Sequence, residues 1–392
     1  MGKILAAYLF PHPPIIIPEI GRGEERRVKK TIDGVRALSQ DISVKKPDTI
    51  IVITPHGPIF SDAIAISVEE KLYGDFGRFG FSRINFNFEN NLNLVKEIIK
   101  RSNREGIIMA ELDMNFARDY NVDHEIDHGV LVPLYFVDKL YRNYKLIHIT
   151  YGMLPPKDLY RFGKIIQGVV KESQEQVVVL ASGDLSHRLS NDGPYSYSPE
   201  GKKFDEAIVD ILKRGDLEDI VAFDFNLAEK AGECGLRSLM VMAGTLDRLK
   251  FDSTVLSYEG PFGVGYATAK LEVTGEKKGE DLVGKIEQRD RERIKRIRQK
   301  ESEYVRLARK SLEYFLKHGK YMPVPENLSP KLLREKKAVF VTLKKDGLLR
   351  GCIGTTEPRE DNVALEIIRN AVSAGTEDPR FPKVEQDELD KL

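Results

Sequence analysis

Short apolar runs alternate with longer amphipathic stretches through about residue 250 of this 392-residue chain. Apolar runs of about four to eight residues indicate buried strands, and apolar residues spaced three and four apart indicate helices. The predicted strands are residues 3–9, 49–54, 63–67, 146–150 and 176–181. The predicted helices are residues 24–43, 92–103, 156–172, 199–213 and 235–248. This alternation predicts an α/β fold with a mainly parallel sheet flanked by helices.

The pattern changes after the last predicted helix. Two further strands, 252–258 and 264–273, flank a glycine-rich turn and predict a hairpin at the edge of the sheet. Residues 275–281 are polar and contain glycine, which is typical of a linker. Residues 284–301 mix acidic and basic side chains, which favours a solvent-exposed helix. We therefore expect a first domain at 1–273 and a charged, helical linker at 274–301.

The remaining residues, 302–392, predict a smaller α+β domain. Its predicted elements are a helix at 304–316, strands at 338–343 and 348–353 joined by a turn at 345–347, and a helix at 363–372. The sequence then ends after an acidic stretch without a closing strand, so we expect this domain to be incomplete.

Composition limits the classes of partner. Lys plus Arg and Asp plus Glu both number 61, so net charge gives no reason to expect nucleic acid or an anionic membrane. Cys234 and Cys352 are the only cysteines, too few for a disulfide framework or an all-cysteine zinc site. The chain shows neither a signal-peptide pattern nor an apolar run of roughly 18–20 residues. We expect a soluble, cytoplasmic protein.

Three histidines follow predicted strands directly. His12 lies in a Pro-His-Pro-Pro turn, His56 lies in Thr-Pro-His-Gly-Pro, and His187 ends Ser-Gly-Asp-Leu-Ser-His. Loops at the carboxyl ends of parallel strands meet in one crevice. Proline stiffens such a turn and fixes the direction of the imidazole. We therefore predict that His12 and His56 bind a metal ion, the alternative being turns with incidental histidines.

Asp184 precedes His187 by three residues. A carboxylate there can orient the imidazole and raise its basicity. His187 is thus a candidate third ligand or general base. The alternative is an aspartate helix cap beside a surface histidine.

Residues 124–128 match His-Glu-x-x-His, the zinc protease motif. That motif requires a helix, whereas a glycine and a proline follow closely and apolar periodicity is weak. We predict a polar loop from which His128 rather than His124 reaches the crevice. His148 is predicted to be a core strand residue, and His318 to lie at a helix end in the smaller domain.

A third metal ligand is sought just before helix 235–248. Glu233 would complete the two-histidine, one-carboxylate triad of Fe(II) oxygenases, whereas Cys234 would give a thiolate suited to Zn or Fe. The alternatives are a helix-terminal charge for Glu233 and a small buried apolar residue for Cys234. Glu259 is the next candidate if neither binds.

These segments support a family assignment, since residues 1–273 resemble the LigB-like class III extradiol dioxygenases and, within them, the Memo branch. The matching segments are Pro-His-Pro at 11–13, Pro-His-Gly at 55–57, Asp-His-Gly at 127–129 and Gly-Asp-Leu-Ser-His at 183–187. The resemblance implies that His12 and His56 bind Fe(II), His187 is the catalytic acid and base, and His128 contacts substrate. Ring-cleaving members use a Glu as third ligand and Memo proteins a Cys. The adjacent Glu233 and Cys234 leave this open, and the Cys-Gly pair is the more Memo-like.

The smaller domain resembles the AMMECR family through Leu-Arg-Gly-Cys-Ile-Gly at 349–354 and Asp-Pro-Arg-Phe-Pro at 378–382. A Memo-like domain followed by an AMMECR-like domain resembles the AmmeMemoRadiSam system, which implies a radical SAM protein as partner. The chain has no Cys-x3-Cys-x2-Cys motif, so that activity would belong to another chain.

The expected function is non-haem Fe(II) extradiol cleavage of a catecholic or related aromatic substrate. One alternative is a Memo-like module that binds metal, protein or peptide without ring cleavage, and another is hydrolysis with zinc. The residues alone do not decide whether the protein is an enzyme.

Overall fold

The structure is a computed structural model and describes residues 1–277, 282–345 and 348–392. The chain divides into two compact units, Met1–Val283 and Gly284–Leu392. Within the described residues, no helix has both the length and the apolar character needed to cross a membrane.

One sheet dominates the first unit, and the described residues contribute eight strands to it. These are β1 Lys3–Phe10, β2 Thr49–Thr54, β3 Ala63–Ser67, β6 Ile108–Leu112, β7 Lys145–Thr150, β8 Gln176–Ser182, β9 Leu249–Glu259 and β10 Tyr266–Glu276. Their order in the sheet is β6-β3-β7-β2-β8-β1-β10-β9. A separate antiparallel pair is formed by β4 Lys71–Phe76 and β5 Phe81–Glu89.

The four central strands, β7, β2, β8 and β1, are parallel neighbours. Every residue of β2 is buried, and so is all of β8 after its first residue. Such uniformly apolar strands are typical of a parallel sheet covered on both faces. The hairpin β9–β10 pairs antiparallel with β1 and forms the sheet edge. The predicted α/β class with a mainly parallel sheet is confirmed.

Helices cover the sheet. Their bounds in the first unit are α1 Pro18–Gly21, α2 Lys29–Lys45, α3 Leu92–Arg104, α4 Met114–Tyr120, α5 His128–Asp138, α6 Pro156–Glu172, α7 Pro199–Arg214, α8 Leu217–Val221, α9 Phe225–Ala231 and α10 Leu236–Thr245. The predicted helix at 24–43 begins instead with a 3-10 turn at Glu24–Val28. The sequence did not predict α5, which contains Pro133, or the β4–β5 pair.

The second unit contains α11 Leu282–Gln299, α12 Glu303–His318, α13 Pro330–Arg334, β11 Phe340–Lys345, β12 Leu348–Gly354 and α14 Val363–Thr376. Strands β11 and β12 pair antiparallel, and apolar residues of α12, α13 and α14 share one core. Residues 278–281 of the predicted linker and residues 346–347 of the predicted turn lie outside the described residues. That this domain is incomplete remains a prediction.

Candidate metal centre

The carboxyl ends of three adjacent parallel strands place the predicted site residues. His12 follows β1, His56 follows β2, and Asp184 and His187 follow β8. Because β2, β8 and β1 are parallel neighbours, the loops that leave them open on the same edge of the sheet. His128, the first residue of α5, completes the group.

Three imidazoles meet at this edge. The Nε2 atoms of His12 and His56 are 2.9 Å apart, and the ring of His128 stacks on His56 with centroids 4.2 Å apart. One ring nitrogen from each of the three lies within 4.8 Å of the others. Two nitrogens that bind one ion at about 2.1 Å and at a right angle would be separated by about 3 Å. The His12–His56 spacing therefore fits a shared metal ion.

The hydrogen bonds of His12 fix which nitrogen faces the centre. Ser182 Oγ donates to the carbonyl of Gly129 and lies 2.9 Å from His12 Nδ1. Since the single hydroxyl hydrogen is already used, Nδ1–H must donate to Ser182, and Nε2 carries the free lone pair. Gly129 has its carbonyl available because Pro133, four residues on in α5, has no amide hydrogen. The proline that obscured α5 in the sequence thus helps to orient His12.

The imidazoles are held in their neutral form. Burial lowers the pKa of His12 well below its usual value, and the neighbouring histidines lower it further. Burial and the nearby His128 lower the pKa of His56 to about 4. The pKa of His128 is lowered by burial, although Asp127 opposes the shift. Neutral imidazoles at neutral pH keep their lone pairs for a metal ion.

Cys234 and Glu233 point to different neighbours. Cys234 Sγ lies 3.7 Å from His12 Nε2, whereas the Glu233 carboxylate accepts a hydrogen bond from the amide of Leu236 at 2.6 Å, in the first turn of α10. Burial raises the pKa of the Cys234 thiol, and the nearby carboxylates of Asp184 and Glu233 raise it further. Burial raises the pKa of Glu233 to about 7. Of the two candidate third ligands, only Cys234 contacts the imidazole group.

Asp184 does not orient His187, so that expectation was wrong. Its Oδ1 accepts the amide hydrogen of His12 at 3.0 Å, and its Oδ2 lies 3.8 Å from His12 Nε2. His187 Nδ1 instead bonds to the carbonyl of Leu185 at 3.0 Å. The reason is that residues 183–187 are not helical, so residues three apart do not share a face. Burial raises the pKa of Asp184 to about 7.

His187 is half-buried and anchored at two points. Its amide donates to the carbonyl of Ala231 at 3.1 Å, and its Nδ1–H to Leu185. Burial lowers the pKa of His187, the bond to the Leu185 carbonyl opposes this shift, and His56 adds to it. With Nδ1 engaged, Nε2 is the nitrogen that can exchange a proton with a substrate.

The remaining candidates have other roles. His124 is not a member of the imidazole group found among the described residues, and its segment is not helical, so a zinc protease site is not formed. His128 opens a helix rather than lying in the expected loop. Glu259 accepts hydrogen bonds from the amide and hydroxyl of Thr31. His318 ends α12, as expected.

Sequence reasoning missed the supporting residues Ser182, Thr54 and Asp127. Asp127 caps α5 by accepting the Gly129 amide at 2.7 Å. An aspartate before His128 is a possible helix cap and therefore a signal for a helix that begins there. Pro133, five residues after His128, argued against that helix.

A cavity of about 250 Å³ opens above His56 and His128. The Phe79 ring stands edge-on to His128 with centroids 5.4 Å apart. The residues that line the cavity are His56, Gly57, Pro58, Asp75, Arg78, Phe79, Val122, Asp123, Glu125, Ile126, Asp127 and His128. The imidazole group therefore borders a space that can admit a small molecule.

Residues 6–269 match the family described as the catalytic LigB subunit of aromatic ring-opening dioxygenase. The chain belongs to the LigB family. Residues 305–392 match the AMMECR1 family, so a LigB domain is followed by an AMMECR1 domain, as the resemblance predicted. The LigB family is metal-dependent, and the imidazole group of this LigB domain is a possible metal site.

Two bacterial relatives of this chain carry names that state no activity. One from Clostridium acetobutylicum is 43% identical over 383 residues, which cover 97% of this chain and 81% of that protein. One from Thermotoga maritima is 46% identical over 93 residues, 24% of this chain and 53% of its own length. A solved structure of an uncharacterized Escherichia coli protein covers 68% of this chain and 99% of its own, at 12% identity and a TM-score of 0.44.

Proposed function

We propose that the LigB domain is a non-haem Fe(II) dioxygenase of the extradiol type, with zinc as the alternative metal. The observation that carries the proposal is the meeting of His12, His56 and His128 beside a cavity of about 250 Å³. His12 and His56 would hold the metal. A bound iron would supply Lewis acidity toward a substrate hydroxyl and open positions for substrate and O2.

The substrate proposed is a small aromatic diol or a related hydroxylated ring. Phe79 supplies an apolar wall beside His128, and the cavity has room for a single ring. In an extradiol reaction both oxygen atoms of O2 enter the product and the ring opens beside the diol. His187 would take the proton of a substrate hydroxyl and return it later, since its Nδ1 is fixed and its pKa is lowered by burial.

A second candidate is a Memo-like metal module that does not cleave rings. It is favoured by the position of Cys234, whose Sγ lies 3.7 Å from His12 Nε2, while Glu233 is engaged at the start of α10. Two imidazoles and a thiolate form a softer ligand set than a two-histidine, one-carboxylate triad. For either candidate the partner we propose is a radical SAM protein, a proposal supported by the order of the LigB and AMMECR1 domains.

Metal analysis and oxygen uptake test the proposal together. Protein purified with and without air is assayed for iron and zinc, then offered a panel of catechols in an oxygen electrode. We expect iron, and oxygen uptake matched by a ring-opened product. Bound iron without uptake on any catechol would favour the second candidate. Bound zinc together with hydrolytic activity would favour a zinc hydrolase over a dioxygenase. A protein that binds neither iron nor zinc would contradict both the dioxygenase and the metal-module proposals.

A further inference from the structure

A buried chain of hydrogen bonds connects the interior of the sheet to the imidazole group. His148, in the middle of β7, is 1% exposed. Its Nε2 lies 3.0 Å from Asp127 Oδ2, and its Nδ1 lies 2.9 Å from Ser67 Oγ of β3. The Asp127 side chain is 8% exposed. His148, expected to be an ordinary core residue, is therefore paired with a buried acid.

Asp127 gathers donors from both sides of the site. Its Oδ1 accepts the Thr54 hydroxyl at 2.6 Å and the Gly129 amide at 2.7 Å. Thr54 Oγ1 in turn accepts the amide hydrogen of His56 at 3.2 Å. Asp127 is also the cap of α5, the helix that His128 begins. One carboxylate thus fixes the backbone of His56 through Thr54 and the backbone of His128 through the helix cap.

We propose that His148 and Asp127 are positioning residues that hold His56 and His128 in one arrangement for metal binding. This inference rests on the proposed function, since it concerns the same site. An ionised carboxylate only accepts hydrogen bonds, so Asp127 needs a donor at each oxygen, and His148 is the donor to Oδ2. Without it a buried acceptor is left unpaired, and the side chain would turn to find another donor.

The geometry around Asp127 agrees with this arrangement. His148 Nε2, the Thr54 hydroxyl and the Gly129 amide lie 3.0, 2.6 and 2.7 Å from its carboxylate oxygens, so donors surround the carboxylate. Residues bonded directly to metal-binding histidines typically change metal affinity by roughly 10–100-fold when they are removed, and His148, which acts through Asp127, is expected at the lower end of that range.

Three variants test the inference in the full chain. His148→Leu removes the donor but keeps an apolar side chain in the core. His148→Gln keeps an amide that can donate to Asp127 and accept from Ser67. Thr150→Val is the matched control, because Thr150 is buried on the same face of β7 and its hydroxyl has no hydrogen-bond partner among the described residues.

Two measurements are made on each variant. Metal affinity is measured by titrating Zn²⁺ and Co²⁺ against a competing chelator. Imidazole signals of His56 and His128 are followed by NMR in metal-free protein labelled with ¹⁵N-histidine, with the His318 signal reporting the second unit. We expect His148→Leu to bind metal roughly tenfold more weakly and to shift the His56 and His128 signals. His148→Gln should recover most of the affinity, and Thr150→Val should match the parent.

The inference is overturned if folded His148→Leu protein binds metal like the parent and keeps the His56 and His128 signals. It is equally overturned if His148→Leu and His148→Gln lose the same metal affinity, because the loss would then follow side-chain volume.

If His148→Leu does not fold, Thr54→Val breaks the link to His56 with a nearly isosteric side chain. Unchanged His56 signals in Thr54→Val would refute the inference. If the unsubstituted protein binds no metal, the proposed function is contradicted. The NMR signals of the metal-free variants would still show whether His148 and Asp127 position His56 and His128.

Discussion

The candidate metal centre of the first unit and the ion-pair cluster around Glu388 in the second unit both contain carboxyl groups, but the surroundings shift the pKa of these groups in opposite directions. At the metal centre burial is the largest influence, and it raises the pKa of both Asp184 and Glu233 to about 7. Glu388 instead accepts hydrogen bonds from Arg350 at 2.7 and 2.9 Å and from Lys345 at 2.7 Å, and these partners lower its pKa to about 2.

The difference lies in the cause of the shift, because burial raises the pKa of the acids at the metal centre and ion pairs lower the pKa of Glu388. The Glu388 carboxylate is paired with two cations, Arg350 and Lys345, so its negative charge is fully compensated within the fold. The metal centre combines neutral imidazoles with the half-buried Cys234 thiol and the buried Asp184 carboxyl group, both of which lie close to His12. Groups whose pKa values are shifted by burial and that converge beside a cavity are typical of functional sites. Neutral imidazoles that converge in this way could hold a metal ion.

The largest expected effect comes from removing an imidazole. His12→Ala and His56→Ala should each lose the metal, with a fall in affinity beyond the roughly 10–100-fold of outer residues, because each removes a direct ligand. Metal content after purification and chelator competition measure this. His318→Ala, at the end of α12 in the second unit, is the control and should bind metal normally. If either His12→Ala or His56→Ala kept its full metal content, that histidine would not be a metal ligand, and the contrast between the metal centre and the Glu388 cluster would be lost.

His187→Ala sharpens the comparison by separating binding from chemistry. The His187 ring bonds to Leu185 rather than to the histidines of the centre. We therefore expect the variant to retain its metal and to lose roughly 10²–10⁴ in turnover, the usual contribution of a positioned proton-transfer group. The oxygen electrode gives the rate and metal analysis gives the occupancy. Loss of metal would instead place His187 among the ligands.

Cys234→Ala and Glu233→Gln test which neighbour serves the metal. Cys234→Ala should weaken metal binding strongly, because its Sγ is next to His12 Nε2. Glu233→Gln should bind metal nearly as the parent does, since the amide oxygen can still accept from Leu236. The reverse result would favour a carboxylate ligand and ring cleavage. If both variants bind normally, His128 becomes the third ligand to change.

Much of the fold was predictable because its central strands are continuous apolar runs. The strand at 49–54 is predicted and observed with the same bounds. Helix α5 was missed because proline, here Pro133, normally breaks a helix. In the structure the carbonyl of Gly129, which Pro133 cannot bond, accepts a hydrogen bond from the Ser182 hydroxyl instead. Strand β5 alternates apolar and polar residues, which is a strand pattern that was missed in the sequence; among the described residues it pairs with β4 in a two-stranded sheet of its own.

The site was predictable only in part, since sequence proximity does not fix side-chain partners. Proline-bearing turns at strand ends pointed to His12 and His56, and the structure brings the two together. Asp184, however, reaches His12 across the sheet edge rather than His187 three residues away. The pairing of His148 with Asp127 joins a strand to a helix cap 21 residues earlier, and no local pattern encodes it.

The smallest expected effect tests the second unit by pH. The pKa of Glu388 falls from 4.5 to about 2 in the folded chain, so the unfolded state binds more protons between these values. Its contribution to stability is therefore complete above pH 4.5 and is lost as the pH falls toward 2. Arg350→Met removes two of its hydrogen bonds and should lower the free energy of unfolding at neutral pH by about 1.5–3 kcal/mol. It should also make the stability less dependent on pH, as measured by hydrogen exchange of β12 and α14 amides.

Arg296→Met is the matched control, because its pair with Glu292 is exposed and such pairs contribute about 0.3–0.5 kcal/mol. If the two variants show the same pH dependence, Glu388 is not held by Arg350, and the contrast with the metal centre would rest on the first unit alone.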